Sequence, residues 1–192
     1  MVSEGLKSSG RIEVSTGRLR LVALDSELAR LQATDKAAFF AALDAEVEAA
    51  WPPISNDAPK LLEKLDLLSR SPHEAGWRGW VFLMGWTPGG LDRAVGTGGF
   101  HGPPDENGEI EIGYAMLPSF REQGMATEAV SGLVNWAFEH AEVQSVRART
   151  YPHLYASCRV LEKTGFEELE RVPGEDGDTI VRFGLKRSDR AA

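Results

Sequence analysis

EIEIGYAMLPSFREQGMATE, residues 109–128, runs from a strand through a loop into a helix. Ile110, Ile112, Tyr114 and Met116 alternate with Glu109, Glu111, Gly113 and Ala115, which is the period of a strand with one buried face. Pro118 ends it, and a polar loop follows. From about Gly124 to His140 the apolar residues Val130, Leu133, Val134 and Phe138 fall at helical spacing. A helix start leaves amide N–H groups without partners and carries partial positive charge. The small residues Gly124 and Ala126 let a diphosphate come close to those amides, and Arg121 can add a charge-assisted contact. The stretch therefore predicts an anion site at the start of a helix.

Working outward, Ala94 to His101 reads as a glycine-rich strand, and Gly102 to Gly108 as the connection to Glu109. Trp77 to Trp86 is aromatic and favours a strand, and Thr87-Pro88-Gly89-Gly90 is a turn, so an antiparallel hairpin precedes the key segment. Near the start, RLRLVAL (18–24) alternates as a first strand, and Asp25 can cap a short helix carrying Leu28 and Leu31. The spacing predicts a second helix over Lys36 to Ala50, stopped by Trp51-Pro52-Pro53. A third is capped by Asp57, with Leu61, Leu62, Leu65 and Leu68 on one face. Beyond the key helix come a strand (Gln144 to Thr150), a helix (Ala156 to Thr164) with Gly165 at a left-handed cap, and strands at Phe166 to Val172 and Thr179 to Leu185. This order is mixed α+β. A single domain over 11–187 is expected, with loose tails at 1–10 and 188–192.

Composition narrows the function. At 192 residues the chain can bury one substantial core. A net charge of −8 argues against broad binding to nucleic acid, which needs a positive face, and suits an amine-bearing substrate or simple solubility. One cysteine, Cys158, allows no internal disulfide and suits a cytoplasmic setting. No apolar run nears the roughly 20 residues of a membrane span, so no membrane partner is expected. Gly96-Thr97-Gly98-Gly99-Phe100-His101 falls short of a dinucleotide fingerprint, because His101 stands at the third glycine and Pro103-Pro104 block the following helix. His73, His101, His140 and His153 lack metal-ligand spacing, so no metal is expected. No G-x-S-x-G elbow is present.

R-x-x-G-x-A (Arg121, Gly124, Ala126) after an E-I-G-Y strand resembles the CoA-pyrophosphate loop of the GNAT N-acetyltransferase superfamily. The likeness extends through RLRLVAL, AVGTGGFHGPPDENGEIEIGYAMLP, ATEAVSGLVNWAFE and ASCRVLEKTGFEE, over roughly residues 16 to 185. ATEA, WAF and the S-x-R-V-L-E-K-x-G-F segment resemble the branch that includes the ribosomal-protein alanine and serine acetyltransferases. The resemblance implies a mostly antiparallel sheet splayed near Met116, flanked by helices, with acetyl-CoA in the opening. Pantetheine would pair with backbone at Met116 and Leu117, and the pyrophosphate would sit on amides of Gln123, Gly124, Met125, Ala126 and Thr127, helped by Arg121. The branch carries Asn where this chain has Leu154, three residues before Ser157. Many relatives pair as homodimers.

Acetyl transfer to an amine needs a proton acceptor, oxyanion donors and a proton for the thiolate. Glu111, on the strand leading to the cleft, is the first candidate base, directly or through water. Glu109 on the same face and His101 at the end of the preceding strand are the others. The resemblance makes Ser157 the candidate acid, with Tyr155 behind it. Each has a structural alternative: paired strand carboxylates, a packing histidine, a helix-start serine. Trp51 and Tyr114 are candidates for the acceptor wall, while Trp77, Trp80, Trp86 and Trp136 read as core and strand-face aromatics. The expected acceptor is a protein N-terminal amine, then a small-molecule amine. The alternative is a non-catalytic acyl-CoA-binding module, which the Leu154 departure would suit.

Overall fold

A computed structural model describes residues 10–53, 58–85, 90–174 and 177–190. Among these, the strands are β1 (Glu13–Ser15), β2 (Leu19–Ala23), β3 (Ala45–Glu46), β4 (Trp80–Met84), β5 (Asp92–Phe100), β6 (Glu109–Met116), β7 (Ser145–Thr150), β8 (Glu167–Pro173) and β9 (Thr179–Lys186). The helices are α1 (Ser26–Thr34), α2 (Lys36–Ala41), α3 (Ala58–Arg70), α4 (Met125–Glu139) and α5 (Tyr155–Lys163). One sheet runs β1-β2-β4-β5-β6-β7-β9-β8, with β3 added alongside β5. Its neighbours are antiparallel except β3–β5 and β6–β7.

Several elements follow directly from local chemistry. The Asp25 carboxylate accepts from the Leu28 amide at 2.7 Å and starts α1. Gly165 adopts φ 90° just past α5, where a side chain would be strained. Leu133, Val134 and Val130 lie fully buried on the inner face of α4, which packs on β1, β2, β5 and β6.

The helix expected over 36–50 stops at Ala41. Phe39 and Phe40 are both fully buried, and the carbonyls that would continue the helix are taken by distant arginines. Arg11 Nη1 donates to Ala42 O at 3.3 Å and Arg20 Nη2 to Leu43 O at 2.5 Å. Asp44 then turns left-handed at φ 53°, and Ala45–Glu46 join β5. Likewise β4 begins at Trp80 rather than Trp77. Pro72–Glu74 form a 3-10 turn, and Gly76 at φ 89° sits where a Cβ would meet the Trp136 ring at 2.8 Å. Past β9, Arg187–Arg190 make a further 3-10 turn instead of fraying at once. The Asp57 cap and Trp86 with most of its turn lie outside the described residues.

Candidate active site

The sheet opens between β6 and β7. They pair in parallel only at Glu109–Glu111 against Ser145–Arg147, after which β6 runs on to Met116 beside β5 and β7 to Thr150 beside β9. The direction of the free peptide groups follows from the β5 side. His101 N donates to Glu111 O at 3.0 Å and Leu117 N to Val95 O at 2.9 Å, so odd-numbered peptides face β5. Those of Ile112, Tyr114 and Met116 therefore face the opening. Met116 O already accepts from Arg121 Nε at 3.2 Å. Leu117 has both backbone groups engaged within the chain, its carbonyl by the Phe120 amide.

At the wide end of the opening lies the loop before α4. Pro118–Phe120 form a 3-10 turn, and Gln123 Nε2 donates back to Ser119 O at 3.0 Å. Glu122 (φ 60°) and Gly124 (φ 77°) are both left-handed, which folds the chain sharply into the helix. Gly124 is the N-cap and no side chain caps α4, so its first amides lack partners from within the helix. Arg18, from the β1–β2 turn, reaches this loop: Nη1 donates to Gln123 O at 3.0 Å and Nε to Glu128 Oε2 at 2.7 Å. Burial pushes the Glu128 carboxyl up, but hydrogen bonds from Thr16 and from the Arg18 amide and guanidinium outweigh it and hold it below its ordinary value.

On the other side of β6 a cavity of about 620 Å³ lies between α3 and β5–β6. Small residues Gly98, Gly99, Gly113 and Ala115 form much of its floor, and Glu63, Lys64, Arg78 and His101 supply its charge and polarity. The His101 ring spans two groups. Nδ1 faces Glu111 Oε1 at 3.3 Å, and Nε2 lies 3.5 Å from where a Gly113 Cβ would be, so it turns to the cavity. Arg149 Nε also holds Glu111 Oε1, at 2.6 Å. Tyr114 lines the same cavity, and its hydroxyl reaches α5, 3.3 Å from Ser157 Oγ and 3.2 Å from Ser157 O. Burial pushes the Tyr114 phenol up to about 12, against the opposing hydrogen bond from Ser157.

Residues 26–167 match the Acetyltransferase (GNAT) domain. The chain belongs to the GNAT family. It is 31% identical over 156 residues to the uncharacterized N-acetyltransferase YjdG of Bacillus subtilis (strain 168), covering 80% of this chain and 88% of the relative. The GNAT fold is shared with the ribosomal-protein-S5-alanine acetyltransferase of Vibrio fischeri (TM-score 0.61, 13% identity, 93% and 98% of the two chains). It is also shared with AAC(6')-Ib in complex with Parmomycin and AcetylCoA (TM-score 0.58, 16% identity, 91% and 96%). This GNAT chain is an acetyl-CoA-dependent acyltransferase.

Of the residues singled out by sequence, the GNAT fold brings Glu111 against His101, which lines the cavity, and Tyr114 against Ser157 at the opening. Met116, Arg121, Gln123, Gly124, Met125, Ala126 and Thr127 lie along the opening's edge and the α4 start. Glu109 is taken by Arg147 Nε at 2.7 Å and does not line the cavity. Trp51 packs with Phe39 and Phe40 in the core, 6% exposed and apart from the cavity wall. Tyr155 is 76% exposed, its ring turned out from α5. Leu154 is the N-cap of α5 and gives no side-chain cap, which is what Asn at that position supplies chemically. The Cys158 thiol is pushed up, first by burial and then by Glu162. Sequence reasoning missed Arg18 and Arg149, whose partners Glu128 and Glu111 are remote in sequence, and Arg78 and Lys64, which no local motif marks as cavity residues. Among the described residues no three His, Cys, Asp or Glu side chains are grouped as metal ligands, and no helix is long and apolar enough to cross a membrane.

Proposed function

We propose that this chain moves the acetyl group of acetyl-CoA to a primary amine held in the α3–β5–β6 cavity, and that the amine is a protein N-terminus. The observation that carries this reading is Tyr114, which lines the cavity while its hydroxyl meets Ser157 across the sheet's opening. Acceptor space and acyl-donor space then share one wall, which is the proximity that direct transfer requires. The charges in the cavity wall suit an acceptor with a single amine. Lys64 and Arg78 stand there against Glu63, whereas a polycation would call for several carboxylates. An α-amino group titrates at about 7.7–8.0 and a lysine at about 10.4, so an N-terminus offers free base near neutrality. The fold neighbours named for a ribosomal-protein acceptor and for an aminoglycoside complex support both acceptor classes. A small-molecule amine is the second reading. The cytoplasm, where a lone thiol such as Cys158 stays reduced, is the proposed compartment.

Acetyl-CoA supplies the activated carbonyl as a thioester. The amides from Gln123 to Thr127 hold its pyrophosphate, and the outward peptide groups of β6 up to Met116 hold its pantetheine arm and offer N–H donors to the developing oxyanion. His101 Nε2 takes the proton of the attacking amine, and Glu111 orients the ring through Nδ1. As the carbon–sulfur bond breaks, the Tyr114–Ser157 hydroxyl pair returns a proton to the sulfur. A phenol held up at about 12 is fully protonated and available for this at neutral pH. Glu111 acting alone through water is the alternative base.

CoA release should be followed with a panel of peptides bearing free or blocked N-termini, a polyamine and an aminoglycoside. Turnover with free N-termini, absent when they are blocked, is the expected result. Turnover confined to the polycations would remove the acceptor assignment, and none with any amine would remove the transfer mechanism drawn here.

A further inference from the structure

We propose that Arg18, a residue of the β1–β2 turn, is a positioning residue of the phosphate site at the start of α4, where it aims a loop amide at the anion and neutralises a carboxylate that would repel it. The inference rests on the reading of that helix start as the pyrophosphate site. Three contacts carry it.

First, Arg18 Nη1 holds the Gln123 carbonyl at 3.0 Å. In a trans peptide the C=O and the following N–H point in opposite directions. Pinning the Gln123 carbonyl toward the β1–β2 turn therefore aims the Gly124 N–H away from it. Gly124 is left-handed at φ 77°, so this peptide would otherwise rotate with little steric resistance.

Second, Arg18 Nη2 lies 3.4 Å from where a Gly124 Cβ would be, and the side chain is 51% exposed. The guanidinium thus packs against the left-handed residue of the loop, on the side opposite to the Gly124 N–H. Its planar fork holds the Gln123 carbonyl and the Glu128 carboxylate at once. Arg121 is differently employed, with its Nε on Met116 O at the edge of β6.

Third, Glu128 lies in the first turn of α4, where an ionised carboxylate would repel a diphosphate. Arg18 Nε at 2.7 Å, the Arg18 amide at 2.6 Å and Thr16 Oγ1 at 2.6 Å bind both its oxygens. The ion pair cancels that charge and locks the β1–β2 turn, the loop and the helix into one closed unit. An arginine that served packing alone would not need the contact with the loop carbonyl.

The test is binding of acetyl-CoA and of acetyl-pantetheine, which lacks the phosphates, to wild type, Arg18→Ala, Arg18→Lys and Gly124→Glu, with melting temperatures in parallel. Arg18→Ala should weaken acetyl-CoA about tenfold or more and leave acetyl-pantetheine unchanged. Arg18→Lys should recover part of the loss, because charge returns without the fork. Equal weakening of both ligands, or no weakening of either, would overturn the role of Arg18. Gly124→Glu separates the two levels. If it abolishes acetyl-CoA binding while Arg18→Ala does nothing, only the Arg18 inference falls. If it binds acetyl-CoA like wild type, the pyrophosphate site itself is misplaced.

Discussion

At the residue scale, Leu154 shows how a single position changes meaning once its place in the fold is known. It is the N-cap of α5, where its carbonyl takes the Ser157 amide at 2.9 Å but its side chain offers the first turn nothing. Leu154→Asn should raise stability by about 1 kcal/mol, read as an upward shift in thermal midpoint. An unchanged or lower midpoint would mean the amides are satisfied another way. The departure was visible as a residue difference, but its physical content needed the helix boundary. Tyr114 was legible as an inward strand residue and a candidate for the acceptor wall, but not as a partner of α5. Its hydroxyl contact with Ser157 spans 43 positions of chain, and no local pattern encodes such a reach. His101 and Glu111 were each named from their strands, yet their pairing depends on the β5–β6 register.

At the element scale, α4 was the most readable part of the chain because its apolar spacing agrees with its burial. Val130, Leu133 and Val134 are all fully buried. Its C-terminal half also carries Trp136, whose ring stands 4.7 Å from Trp77, 5.1 Å from Trp80 and 6.0 Å from Phe100, centre to centre. Trp136→Ala should therefore cost about 3–5 kcal/mol in a denaturant titration, since the surrounding rings cannot close the space. A loss under about 1 kcal/mol would show that this seam is not part of the packed core. The α2 region was misread for the opposite reason. Its alanines favour helix through 50, but Arg11 and Arg20 capture the Ala42 and Leu43 carbonyls from elsewhere in the chain. Propensity is a local quantity, and a tertiary hydrogen bond overrides it. β1 and β3 escaped notice because strands of three and two residues are too short to show a period.

At the scale of the whole molecule, the α+β class and the order of the long elements could be read from the chain, as could the loop that opens α4. The opening itself could not. It exists because β6 outruns its pairing with β7, a consequence of how two strands far apart in sequence diverge after three residue pairs. The cavity is likewise assembled from α3, the segment before β4, and β5–β6, which share no motif. What the molecule achieves is to place these two spaces on either side of Tyr114, with His101 and Glu111 on one and the α4 amides on the other. The most direct test is acetyl transfer to a peptide N-terminus by wild type and His101→Gln, measured from about pH 6 to 9 with acetyl-CoA varied. The account predicts a loss of about a hundredfold in kcat near neutrality, with KM for acetyl-CoA unchanged. The gap should persist above roughly pH 8, because the proton that His101 takes leaves the amine as it attacks and not before. Superimposable pH profiles for the two proteins would contradict it.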